Sequence, residues 1–194
     1  MPIGVLALQG DFEAHAAAVE RAGGQARLVR RAEELDGLEG LILPGGESTT
    51  MLKLLAQDGL QAAVCEFIQH RPTFGTCAGA ILLAREVTQP AQASLGLLDV
   101  AIARNAYGRQ LDSSIREAEV QPEYRAELGA ERIESVLIRA PQFTQLGPGV
   151  EVVAVAGGRP VLVRQGHIIA ATFHPELSPG VAVHRWFLHL RSRR

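Results

Sequence analysis

The 194-residue chain predicts an α/β fold: a single-domain sandwich over residues 1–194, with a mostly parallel central sheet flanked by helices and extra antiparallel strands in the C-terminal half. Three observations carry this. In the first half, short unbroken apolar runs alternate with helical segments, the order that builds a parallel sheet covered on both faces. Beyond Pro90 the runs crowd together and become β-like, with Gly157-Gly158 as a turn between two of them. At this length, 47% hydrophobic against 21% charged residues supplies enough apolar surface for one packed core.

Taken in order, Ile3-Gly4-Val5-Leu6-Ala7-Leu8 is a buried strand, and residues 12–22 form a helix stopped by Gly23-Gly24. Strands follow at 26–29 and 40–43, then helices at 49–55 and 60–69, and a strand at 73–76 leads into a small-residue turn and an Ala/Leu-rich helical pattern. The later strands fall at 97–103, 135–138, 150–155, 160–163 and 168–173, and an amphipathic helix occupies 181–190. The stretch 116–132, rich in Glu and Arg, reads as a solvated surface excursion.

Composition removes several classes of function. Formal net charge is −2 and no basic stripe interleaves with aromatics, so the electrostatic footprint of a nucleic-acid binder is missing. Arg191-Ser192-Arg193-Arg194 reads as a solvated helix end. No apolar run reaches membrane-spanning length, and the first residues do not have the basic and apolar regions of a secretory leader. Two unpaired cysteines make no disulfide framework, so a reducing, cytoplasmic setting is expected. Cys65, on a helical pattern, is a small hydrophobe. His15, His70, His167, His184 and His189 do not have metal-ligand spacing and receive no role.

The chemistry concentrates in three short segments. Phe74-Gly75-Thr76-Cys77-Ala78-Gly79 places a thiol between two glycines where a strand meets a helix, the pattern of a nucleophile elbow. Phe173-His174-Pro175-Glu176 puts an imidazole just past another strand, with a carboxylate two positions on, so Cys77, His174 and Glu176 have the residue types of a triad. Pro44-Gly45-Gly46-Glu47-Ser48-Thr49 follows the third strand and can present backbone N–H groups to an oxyanion, Gly46 together with the N–H of Ala78. The same turn serves equally as a helix start capped by Ser48 or Thr49.

These segments resemble class I triad glutamine amidotransferases. Leu6-Ala7-Leu8-Gln9-Gly10, Gly96-Leu97-Leu98-Asp99, Arg104-Asn105-Ala106-Tyr107-Gly108-Arg109-Gln110 and Ile138-Arg139-Ala140-Pro141 narrow the likeness to the glutaminase subunits of pyridoxal 5'-phosphate synthase, over essentially the whole chain. The resemblance implies hydrolysis of L-glutamine to glutamate and ammonia through a γ-glutamyl thioester. It also implies ammonia passing to a (β/α)8-barrel synthase subunit, and neither metal nor cofactor in the glutaminase itself. It points to Gly46, Glu47, Ser48, Arg104, Ile138 and Arg139 as substrate contacts. Other readings stay open at this stage: the glutaminase of another complex such as imidazole glycerol phosphate synthase, a γ-glutamyl hydrolase or cysteine peptidase, or a binding subunit with a vestigial triad.

Overall fold

Apolar strands that alternate with helices fold here into one long sheet with helices on both sides. The computed structural model describes residues 2–104 and 113–190. Asn105 to Gln110 of the family-like segment, and the basic run Arg191 to Arg194, lie outside the described residues. The first half gives β1 (Pro2–Leu6), α1 (Phe12–Arg21), β2 (Gln25–Val29), β3 (Gly40–Leu43), α2 (Ser48–Leu55), α3 (Leu60–His70), β4 (Thr73–Thr76) and α4 (Ala78–Leu83). These elements follow the sequence reading, with ends moved by one or two residues.

The second half gives β5 (Ala84–Thr88), β6 (Leu98–Ala103), β7 (Ser113–Val120), α5 (Pro122–Leu128), β8 (Arg132–Ile138), β9 (Gln142–Leu146), β10 (Glu151–Ala156), β11 (Arg159–Gln165), β12 (Ile168–Ala171) and α6 (Ala182–Leu190). Among the described residues the main sheet has nine strands in the order β2-β1-β3-β4-β12-β11-β10-β7-β8, and β5-β6-β9 form a smaller sheet. The pairs from β2 through β12 are parallel, and those from β12 through β8 are antiparallel. β12 therefore sits where the two modes meet, directly beside β4.

Strands that read as continuous apolar runs do so because both faces are covered. On β3, Leu41 and Leu43 pack into the cluster that holds Met51, Leu55, Val64 and Leu82, while Ile42 joins the opposite cluster with Val19, Trp186 and Phe187. On β12, Ile168 and Ala170 face the first cluster, Ile169 and Ala171 the second. Period-two alternation is present, but both phases are apolar.

One expectation is overturned. Residues 116–132 are not a solvated excursion: β7 pairs with β8 from Ser113↔Ile138 to Glu119↔Arg132, and α5 follows at once. Ala118, Val120, Tyr124 and Leu128 are buried, and Tyr124 meets Trp186 edge-on with ring centroids 5.9 Å apart. Glu117 and Glu119 take the outward phase of β7, and Glu123 and Arg125 the exposed face of α5, while Arg116 shares the half-buried phase and Glu127 accepts from Trp186 Nε1. Pro122 at the helix start and Gly129 just past its end, in the left-handed conformation with its N–H on Arg125 O, bound α5. Two further strands, β5 and β9, also went unread, because Arg85, Glu86, Gln142, Thr144 and Gln145 interrupt their apolar pattern.

Candidate active site

At the end of β4 the chain turns abruptly into α4, and Cys77 occupies the turn with φ 48° and ψ −102°. A side chain in this region costs on the order of 1–3 kcal/mol and persists only where neighbours hold it. Those neighbours are identifiable. The Cys77 N–H donates to Ala171 O at 2.8 Å, tying the elbow to β12, and Gly79 N–H donates to Pro44 O at 3.1 Å, tying it to the loop after β3. The flanking glycines are required by contact: a Cβ on Gly79 would overlap the Leu43 carbonyl, and one on Gly75 would lie 2.8 Å from the Gly79 carbonyl.

β12 positions the imidazole. Just beyond it, the His174 N–H donates to Val136 O of β8 at 2.8 Å, and its ring lies so close to Gly45 that a Cβ there would collide with it. His174 Nδ1 is 2.7 Å from Glu176 Oε1, which leaves the other ring nitrogen for Cys77, its second hydrogen-bond partner. All three groups are nearly closed to solvent, with exposures of 8% for Cys77 and 4% each for His174 and Glu176.

The electrostatics follow from this burial. Loss of water opposes a charge on His174, but hydrogen bonds to Cys77 and Glu176, and the attraction of both, outweigh it and hold the imidazole well above the ordinary histidine value. For Glu176 the balance goes the other way: burial raises the carboxyl despite its bond to His174, and Asp11 adds to the rise. Asp11 Oδ2 lies 3.6 Å from His174 Nδ1, so the imidazole faces two carboxylates. Donor atoms of Asp11, His174 and Glu176 all fall within 4.8 Å of one another.

Above these three groups opens a cleft of about 310 Å³, lined by Cys77 and His174 and by Gly46, Glu47, Ser48, Arg104, Ile138 and Arg139. That size suits a small molecule. Its rim carries both signs of charge: Glu47 Oε1 pairs with Arg104 Nη2 at 3.2 Å, and Arg139 adds its field to the same carboxylate. Glu47 sits below its ordinary carboxyl value chiefly because it accepts from the Thr49 hydroxyl and N–H. Arg139 stands at the end of β8 with φ 43°, a second strained residue at the cleft.

Every predicted contact residue therefore comes to one place, except that the Ala78 side chain packs into the core. Its N–H belongs to the first turn of α4, where the helix itself provides no acceptor. The cap of α2 differs from the reading: Glu47, not Ser48 or Thr49, accepts the first-turn N–H, and the Ser48 hydroxyl donates to Gln92 Oε1 at 2.9 Å. The sequence reading also passed over Asp11 and Ile81, which line the cleft, and His15, which lies beneath it. Gln9 lines the cleft too, and its Oε1 accepts the Glu47 N–H at 2.6 Å.

The chain's likenesses agree with this geometry. Residues 5–192 match the SNO glutamine amidotransferase family. A pyridoxal 5'-phosphate synthase subunit PdxT of Solibacter usitatus is 53% identical over 96% of this chain and 97% of its own length. The PdxT of one Thermus thermophilus strain is 50% identical over 97% and 96%. A crystal structure of a glutamine amidotransferase superposes with a TM-score of 0.89 at 47% identity, covering 98% of each chain. The structure of PurLQS from Thermotoga maritima, at 18% identity and a TM-score of 0.74, shares the fold.

Proposed function

The chain belongs to the SNO glutamine amidotransferase family, and we propose that it hydrolyses L-glutamine to L-glutamate and ammonia as the glutaminase subunit of pyridoxal 5'-phosphate synthase. The observation that carries the reading is the contact of a strained elbow thiol with a buried imidazole, itself held at 2.7 Å by a carboxylate, under a cleft rimmed with both charges. The whole chain, residues 1–194, serves as one glutaminase domain acting in the cytoplasm.

Cys77 attacks the side-chain carboxamide carbon as a thiolate, its proton having passed to His174. The negative charge that develops on the carboxamide oxygen is met by the Ala78 N–H and by an N–H near Gly46. His174 returns the proton to the departing nitrogen, ammonia leaves, and a γ-glutamyl thioester remains on Cys77. His174 then takes a proton from water as it attacks, glutamate departs, and the thiol is restored. Glu176 keeps the imidazole oriented and stabilises its charged form throughout. Arg104 and Arg139 suit the substrate carboxylate and Glu47 its ammonium.

Ammonia passes to a (β/α)8-barrel synthase subunit before it is lost to solvent. Docking acts on the Gly45–Gly46 loop, where the Gln9–Gly10 turn is packed so closely that a Cβ on Gly10 would overlap the Gly45 carbonyl. The test is glutamate release from glutamine by the chain alone and with its synthase partner. Partner-stimulated release that disappears in Cys77→Ala is expected; no release under either condition would redirect the assignment to a γ-glutamyl substrate.

A further inference from the structure

Below Glu176 lies a second imidazole that the mechanism above does not use. His15 projects from α1 with no exposed surface, in a segment distant in sequence from the triad. Its Nε2 lies 2.9 Å from the hydroxyl of Thr76, the residue before the nucleophile, and 3.2 Å from Glu176 Oε2. Its Nδ1 lies 3.0 Å from Nε2 of His184 on α6, which is equally buried. Phe74 meets both rings edge-on, at centroid distances of 6.3 Å and 5.9 Å.

We propose that His15 is a positioning residue of the triad: a neutral imidazole that braces the far oxygen of Glu176, holds the elbow through Thr76, and is itself fixed by His184. The proposal rests on the glutaminase reading and deepens it.

The proton positions follow from satisfying buried groups. With hydrogen on Nε2, His15 donates to the Thr76 oxygen and turns the positive end of the same N–H toward Glu176 Oε2 at 3.2 Å, and Nδ1 accepts from the His184 N–H. Of the two rings, only His184 Nδ1, a lone pair, then stays without a hydrogen-bond partner among the described residues; Glu176 Oε2, 3.2 Å from His15 Nε2, is met by the N–H dipole and not by an aligned hydrogen bond. The opposite tautomer sets a lone pair against Glu176 Oε2 at 3.2 Å and turns His184 Nδ1 into a buried, unpartnered N–H, the costlier orphan. Burial above all, then the neighbouring His184 and His174, pushes the His15 pKa well down, so the ring is uncharged. The titratable groups facing it are Glu176, His174 and His184, the last of which feels Arg21.

Without that N–H, the buried Glu176 Oε2 would lose the dipole that stabilises its charge from 3.2 Å. The group would take up a proton or rotate, and His174 would lose its orientation. The experiment compares His15→Leu, which removes the donor at similar volume, with His15→Gln, whose amide can reach the Nε2 position. It uses the glutaminase–synthase complex. His15→Leu is expected to lower kcat roughly tenfold to a hundredfold, the range typical for outer partners of ligating groups, with KM for glutamine within about twofold. His15→Gln should recover most of the rate.

A second readout, the pH profile of Cys77 alkylation by iodoacetamide in a Cys65→Ser background, should shift in His15→Leu and return in His15→Gln. Wild-type kcat and an unshifted profile in His15→Leu would overturn the proposal. So would equal impairment of both variants with an unshifted profile, which marks packing alone. A wild-type complex that releases no glutamate would sink the glutaminase reading, while the alkylation profile still decides the role of His15.

Discussion

The floor and the rim of the cleft are built from the same kinds of charged group in opposite surroundings. On the floor, His174 and Glu176 are almost fully buried and both hold a proton more firmly than usual, His174 up to about 10. On the rim, the Glu47 side chain is 55% exposed and its pairing with Arg104 at 3.2 Å is open to water. An exposed pair of this kind contributes about 0–1 kcal/mol to stability, because solvent screens it and the side chains lose freedom in making it. The lesson is a division of labour: the rim can exchange its internal partner for a substrate at little cost, and the floor cannot change partners at all.

Three measurements would break or sharpen that contrast. The largest effect is expected from Glu176→Gln, which keeps the volume and removes the charge that supports the imidazolium. A loss in kcat of about 10²-fold to 10⁴-fold should follow, with folding retained. A loss below about threefold would mean the buried carboxylate does not orient the base.

Acid stability comes next. His184 has its pKa lowered to about 4, by burial first and by Arg21 second, against an ordinary value near 6.5. Its folded-state value is depressed, so below about pH 6.5 the unfolded chain binds a proton that the folded chain refuses. Its contribution is present above that pH and is lost as pH falls toward 4. His15 is shifted in the same direction, whereas Glu176, raised by burial, offsets part of the slope. Urea unfolding at pH 7, 6 and 5 should show the decline. His184→Gln should flatten it by about one proton, or about 1.4 kcal/mol per pH unit. An unchanged slope would mean His184 titrates normally.

The smallest effect belongs to the rim. Arg104→Gln should change stability by less than about 1 kcal/mol while raising KM for glutamine about tenfold and leaving kcat within about threefold. If kcat fell as far as in Glu176→Gln, the division between floor and rim would be wrong.

How much of this was legible in the sequence depended on whether a residue's role is local. Cys77 could be read because the strained turn dictates its own neighbours: glycine at 75 and 79 is needed for backbone contact within the motif or against the next strand. His174 and Glu176 could be read because the orienting bond spans two residues. His15 could not, since Glu176, Thr76 and His184 come from three other segments and no spacing rule joins them. One signal was available. Phe12, His15, Ala16 and Val19 share a helix face, and an imidazole on a core-facing stripe requires polar partners inside. The β7–α5 segment was misread for a different reason, because its long charged residues hid an alternation carried by only Ala118, Val120, Tyr124 and Leu128.

The place of β12 between β4 and β11 also sets when this enzyme can begin to work. During synthesis the thiol strand is made nearly a hundred residues before its neighbour, so a growing chain carries Cys77 on an open strand edge with neither the Ala171 carbonyl nor the imidazole beside it. Insertion of β12 closes that edge and arms the sulfur in one event. On the proposed mechanism, a ribosome-bound chain lacking β12 would carry the thiol without its partners, and ammonia release would start only with a finished sheet.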